Sequence, residues 1–146
     1  MSTVVERSIL IAATTEQLDA ITLNAQRFPE WFVGVETAVP DDTYPEPGGV
    51  VEIVYKAAAL KFNMTMTSLR LSCGRSLLLR LEGMLVGKSR WVYSPEGDAV
   101  RVTSQFEYEM PGGNVGQALN KLAVEQINTK NLEKSLENLK ALVEGA

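Results

Sequence analysis

Residues 113–144, GNVGQALNKLAVEQINTKNLEKSLENLKALVE, contain no proline, and their apolar residues recur at helical spacing. Counted in sevens, one row holds Val115, Leu122, Thr129, Leu136 and Val143, and its companion holds Ala118, Glu125, Leu132 and Leu139. The seam is apolar at both ends and polar in the middle. A helix of this length, about 45 Å, crosses a small domain from edge to edge and needs a broad apolar surface to lie on. Its middle turns present Glu125, Gln126 and Thr129 where a plain core wants leucine.

Everything upstream reads as strands. Thr3 to Ala12 is rich in β-branched residues, with Val5, Arg7, Ile9 and Ile11 on one face. Thr14 or Thr15 then caps a short helix over residues 16–23, and a second over 25–30 stops near Pro29. The aromatic cluster Phe28, Trp31, Phe32 reads as a packed corner or as the wall of a binding cavity. Further strands are expected over residues 33–39, 50–58, 61–72, 76–82, 85–94 and 99–110, with a Pro- and Gly-rich loop at 40–49 and turns at Gly74 and at residues 95–98. Pro111-Gly112-Gly113 breaks the last strand, and Asn114 caps the long helix. Strands joined by turns rather than helices imply an antiparallel sheet. The expectation is therefore an α+β fold in one domain over residues 1–146. A curved seven-stranded antiparallel sheet carries a long C-terminal helix, and two short helices stand between strands 1 and 2. A helix that touches a curved sheet only at its ends leaves a gap beneath its middle.

Composition narrows the function. Apolar residues at 45% and charged residues at 22% suit a folded globular chain. The net charge of −4 and the scattered 14 cations argue against a nucleic-acid surface. No apolar run is long enough to span a membrane and no signal-peptide pattern opens the sequence, so stable membrane insertion is not expected and a cytoplasmic location is. A single cysteine, Cys73, precedes a turn glycine and has no histidine partner; a catalytic thiol is not expected. Histidine is absent, which removes Ser-His-Asp and Cys-His triads and the usual His-based metal sites. Neither metal nor cofactor is expected, and the chain reads as a monomer or weak homodimer.

The segments "VERSILIAATTEQLDAIT…FPEWFVGVE", "LRLEG…GKSRWVYSPEGDAVRVTSQFEYEMPG" and "LEKSLENLKALVEG" resemble, in this order and over nearly the whole chain, the START-like or SRPBCC superfamily, in its polyketide cyclase/dehydrase-like branch. The resemblance implies a helix-grip fold, in which a seven-stranded sheet grips a C-terminal helix around a deep, mainly apolar cavity. Phe28, Pro29, Glu30 and Trp31 match the family signature at the second short helix, and Trp91 matches its sixth-strand tryptophan. The branch's aromatising cyclases use arginine, tyrosine and sometimes histidine in the cavity; this chain has no histidine to offer. The fold alone does not name a function.

Candidate ligand-binding residues are Phe62, Met64 and Met66 on one strand face, Trp91, then Ser104, Phe106 and Tyr108 on another, and Leu122, Glu125, Gln126 and Thr129 on the helix. Glu125 either reaches solvent and pairs with Lys121 one turn back, or faces an apolar cavity that raises its pKa and lets it donate to a ligand carbonyl. Glu125 and Tyr108 are the candidate acid–base groups. Arg80, Lys88 and Arg90 read as an outer face, with one inward arginine as the alternative. The first function expected is binding, transport or sensing of a small hydrophobic molecule such as a lipid, isoprenoid or polyketide-like aromatic. The alternatives are a cyclase/dehydratase-type lyase or isomerase using Glu125 or Tyr108 with an arginine, and a protein-interaction module working through the C-terminal helix.

Overall fold

Alternating apolar and polar residues make strands of most of the first 110 positions, and helical spacing makes one long helix of the last stretch. The computed structural model describes residues 3–57, 60–110 and 121–145, without the side chains of 57, 60 and 121–123. In order come β1 (Thr3–Ile11), α1 (Thr15–Thr22), a 3-10 turn (Ala25–Arg27), α2 (Phe28–Trp31), β2 (Val35–Pro40), β3 (Val50–Ala57), β4 (Leu60–Ser72), β5 (Ser76–Gly83), β6 (Val86–Glu96), β7 (Ala99–Glu109) and α3 (Lys121–Glu144). The strands form one antiparallel sheet in the order β1-β7-β6-β5-β4-β3-β2. β2 to β7 meander, and β1 pairs with β7 from Thr3 opposite Tyr108 to Ile11 opposite Val100. The expected fold class is what the structure has.

The two short helices carry the chain across the sheet from one edge to the other. Thr14 starts α1 with a reciprocal cap: its Oγ1 accepts from Gln17 N at 3.1 Å, and its own N–H donates to Gln17 Oε1 at 2.8 Å. The second short helix, expected to be continuous, is split. A continuous α-helix needs an N–H at position 29 to reach the Ala25 carbonyl, and Pro29 has none; Phe28 N–H takes that carbonyl in a 3-10 turn instead. Register shifts between Val35 and Thr37 in β2 and between Ser68 and Arg70 in β4 bend the sheet. At Gly87, opposite Tyr108, any Cβ would run into the Glu107 carbonyl, so only glycine lets β6 and β7 approach this closely.

α3 packs on β1, on α2 and on the concave face of the sheet. Its buried stripe runs through Val124, Asn128, Leu132, Ser135, Leu136, Leu139 and Val143. The C-terminal half of that stripe matches the expected anchors. Val115 and Ala118, of the apolar seam expected to anchor the other end, lie outside the described residues, as does the side chain of Leu122. Polar bonds add to the C-terminal anchor. Val33 N–H donates to Ser135 Oγ at 2.8 Å, Asn138 Nδ2 donates to the Trp31 carbonyl at 3.3 Å, and Arg7 pairs with Glu133 at 2.9 Å. At the helix end, Glu144 Oε2 accepts from Ala12 N–H at 2.8 Å and from Lys140 Nζ at 2.6 Å.

Candidate functional site

Between the sheet and the middle of α3 lies a cavity of about 50 Å3. Period-two alternation delivers its walls: Ile53 and Tyr55 from β3, Met64 and Met66 from β4, Leu81 from β5, Ser89 and Trp91 from β6, and Ser104 and Phe106 from β7. Phe32 and Val35 close one side, and Asn128, Asn131 and Leu132 form the helix side. Phe32 makes the aromatic corner a cavity wall, while Phe28 and Trp31 stand behind it, with Phe32 stacked on Trp31 at 5.2 Å between centroids.

Three of the polar groups form a relay. Asn131 Nδ2 donates to Tyr55 Oη at 3.1 Å, and Tyr55 Oη donates to Asn128 Oδ1 at 2.9 Å. That spends the Asn128 oxygen and leaves its Nδ2 buried with no partner, as are Ser104 Oγ and Tyr108 Oη. Tyr108 stacks behind Phe106 at 4.6 Å between centroids. Asn128 lies close enough to polarise the Tyr108 hydroxyl, yet its Nδ2 and Tyr108 Oη are each without a partner at hydrogen-bonding geometry. Burial pushes both the Tyr55 and Tyr108 hydroxyls above the usual tyrosine range; the hydrogen bond from Asn131 opposes this only in part at Tyr55, and the Glu125 charge adds to it at Tyr108. Both stay protonated at neutral pH, so they donate rather than act as bases. Trp91 Nε1 donates to Ser89 Oγ at 3.0 Å, which fixes the indole against the cavity. Gly34, at φ +99°, permits the Tyr55 ring to lie over its backbone, where a Cβ would strike the ring.

Of the expected site residues, Met64, Met66, Trp91, Ser104 and Phe106 meet in this cavity. Phe62 is buried on the same face of β4, opposite Tyr55. The Leu122 side chain lies outside the described residues. Glu125, Gln126 and Thr129 are elsewhere: with Lys130 and Glu133 they line an open hollow on the flank of α3, and Thr129 Oγ1 donates back to the Glu125 carbonyl at 2.8 Å. The cause is helical phase. Rows counted in sevens fall behind a 3.6-residue helix by about 20° per step. Carried back two steps from Leu139, the row reaches Glu125, rotated off the buried face. A single step of eleven departs from phase by about 20°, half the drift of two sevens, and passes from Leu139 to Asn128 and from Val143 to Leu132, which are the cavity residues. That spacing, with the alternation of Val51, Ile53 and Tyr55, is the signal that reaches the missed residues Asn128 and Tyr55. Arg80, Lys88 and Arg90 lie exposed on the outer face.

The model of the family described as polyketide cyclase/dehydrase and lipid transport matches residues 2–144. The chain belongs to this family. Solved structures with the same fold include TTHA0849 from Thermus thermophilus, 20% identical, with a TM-score of 0.82 over 98% of each chain. The Zhui aromatase/cyclase from Streptomyces sp. R1128 is 14% identical, with a TM-score of 0.82 over 99% of this chain and 94% of that one. A START superfamily protein from Mycobacterium smegmatis is 15% identical, with a TM-score of 0.79 over 97% of each. A comparison with curated proteins gave no match. This member of the polyketide cyclase/dehydrase family thus has the START-like helix-grip fold. Among its described residues no helix is long and apolar enough to cross a membrane, and no group of three or more Cys, Asp or Glu is placed to hold a metal ion.

Proposed function

We propose that this protein binds a small apolar molecule carrying a carbonyl or similar hydrogen-bond acceptor, in the cavity between the sheet and α3. The Asn128 amide carries the reading. Its oxygen is taken by Tyr55, so its N–H bonds are what it offers a guest, beside the free hydroxyl of Ser104 on the cavity wall. A buried polar group left unpaired costs about 1–3 kcal/mol, and an acceptor on a ligand removes that cost. The apolar walls add affinity, and the few polar groups set orientation. The family's description, and the aromatase/cyclase among the similar structures, support a ligand of polyketide-like aromatic kind.

Among the described lining residues there is no carboxylate, lysine or arginine, and the nearby tyrosines are held protonated. The site is equipped to hold an acceptor and lacks a group to remove a proton, which favours binding over cyclisation or dehydration. Its room of about 50 Å3 falls short of the roughly 300–1,000 Å3 of drug-sized pockets. A one-ring ligand suits it, and Met64 and Met66 are the wall residues able to yield to a larger one. Acetophenone and ethylbenzene, titrated into 15N-labelled protein, test the reading. One added hydrogen bond predicts that the ketone binds about 3–10-fold tighter. Equal affinity overturns the acceptor reading, and no binding of either overturns the ligand-binding reading as a whole.

A further inference from the structure

A second, smaller chamber lies beyond Phe32, Met66 and Trp91, which line both it and the cavity already described. It holds about 20 Å3 of room for water-sized centres, enough for one oxygen atom and its substituents. α1 contributes Asp19 and Thr22, α2 contributes Trp31, the 40–49 loop contributes Tyr44 and β6 contributes Tyr93. One side of the chamber is already hydrogen-bonded. Thr22 Oγ1 and Tyr93 Oη bond each other, and Asp19 Oδ2 accepts from Gly74 N–H at 2.6 Å. The other side is not. Trp31 Nε1 and Tyr44 Oη are both buried without a partner, in residues only 2% and 9% exposed. Such a pair is rare in a folded interior, where nearly every buried donor finds an acceptor.

Tyr44 is held in place. Its N–H donates to Asp41 Oδ1 at 2.9 Å, its ring meets Phe28 edge-on at 6.5 Å between centroids, and burial keeps its hydroxyl protonated. An indole N–H only donates, whereas a phenol both donates and accepts. A hydroxyl has the chemistry both call for, since it can accept from Trp31 and exchange a hydrogen bond with Tyr44. A methyl group leaves both unpaired, and a carboxylate is opposed by Asp19 on the chamber wall.

We infer that this chamber is a distal subsite for a ligand hydroxyl, so that the full ligand is an aromatic molecule with a carbonyl at the Asn128 end and a hydroxyl at the Trp31–Tyr44 end. The inference rests on the ligand-binding reading of the first cavity. Met66 is the adaptable side chain between the two chambers, and Trp91 is the fixed one, its N–H tied to Ser89.

The test compares 4-hydroxyacetophenone with acetophenone by 15N–1H NMR. With two tryptophans in the chain, the spectrum has two indole N–H signals, assigned with a Trp91→Phe variant. The expected result is that the hydroxylated ketone binds about 3–10-fold tighter, that only it moves the Trp31 indole signal downfield, and that Tyr44→Phe brings the affinity ratio close to one. Removal of an unpaired hydroxyl leaves the fold intact, which the thermal midpoint of Tyr44→Phe checks. If acetophenone binds but the hydroxyl adds nothing and the Trp31 signal stays still, the chamber holds a water or nothing, and the inference falls while the first cavity stands. If neither ketone binds, both readings fall.

Discussion

The two halves of α3 present the same sheet with opposite solutions. From Leu132 to Val143 the helix is fastened by Leu136, Leu139 and Val143, and by the polar ties of Ser135 and Asn138 to the α2–β2 corner. Between Val124 and Asn131 it turns Asn128 and Asn131 toward a cavity whose walls are mainly apolar. One half is a plain packed interface in which every polar group described above has a partner. The other keeps a buried amide N–H free beside two free hydroxyls. Stability belongs to the first half and recognition to the second.

The sharpest way to break that division is Leu139→Ala. Leu139 is fully buried, and truncating such a side chain costs about 2–5 kcal/mol. Urea unfolding is expected to show that loss with little change in the affinity of whatever folded protein remains for acetophenone. A variant that unfolds no more readily than the parent would mean that the C-terminal half is not the anchor.

Gly34→Ala is expected to come next. The substitution forces a side chain into positive φ and against the Tyr55 ring, so it destabilises by about 1 kcal/mol or more. Unlike Leu139→Ala, it also weakens ketone binding, because Tyr55 orients Asn128. Undisturbed binding would detach Tyr55 from the site.

Ser104→Ala and Tyr108→Phe should behave in the reverse sense. Each removes a buried hydroxyl that has no partner, so thermal melting is expected to stay level or rise slightly while the preference for ketone over hydrocarbon shrinks. A stability loss above about 1 kcal/mol would show that these hydroxyls hold the fold instead.

The smallest effect concerns the anchored half alone. Glu144 has its pKa lowered, first by its hydrogen bond from Lys140 and then by the Ala12 N–H. A folded-state value below the unfolded one gives stabilisation that is present above the ordinary glutamate value of 4.5 and is lost as pH falls through the folded value. Glu144→Gln is therefore expected to be slightly less stable than the parent at neutral pH and equal to it in strong acid. A difference that persists in acid would assign the loss to something other than this charge.

The same division explains what can be read from the residues alone. Leu132, Leu136, Leu139 and Val143 announce themselves because burial without polar partners leaves an apolar row, and strand alternation announces Met64, Met66, Ser104 and Phe106 in the same way. Asn128 breaks the apolar row. Counting by sevens, which drifts against a straight helix, then assigns the polar middle to Glu125, Gln126 and Thr129 on the outer flank. Alternation with Val51 and Ile53 puts Tyr55 on the inner face, but nothing local announces its bonds to Asn128 and Asn131, which lie more than seventy residues away. The split at Pro29 is legible in principle, because a missing N–H identifies the bond that cannot form.

The most direct test follows the Asn128 side-chain amide itself during a titration with acetophenone. The account predicts that its two N–H signals move in a saturable way, with the same apparent Kd as the backbone signals of the cavity walls, and that ethylbenzene leaves them in place. Binding of the ketone with the Asn128 amide unmoved, while signals of Glu125, Gln126, Thr129 and Glu133 on the flank shift, would contradict it.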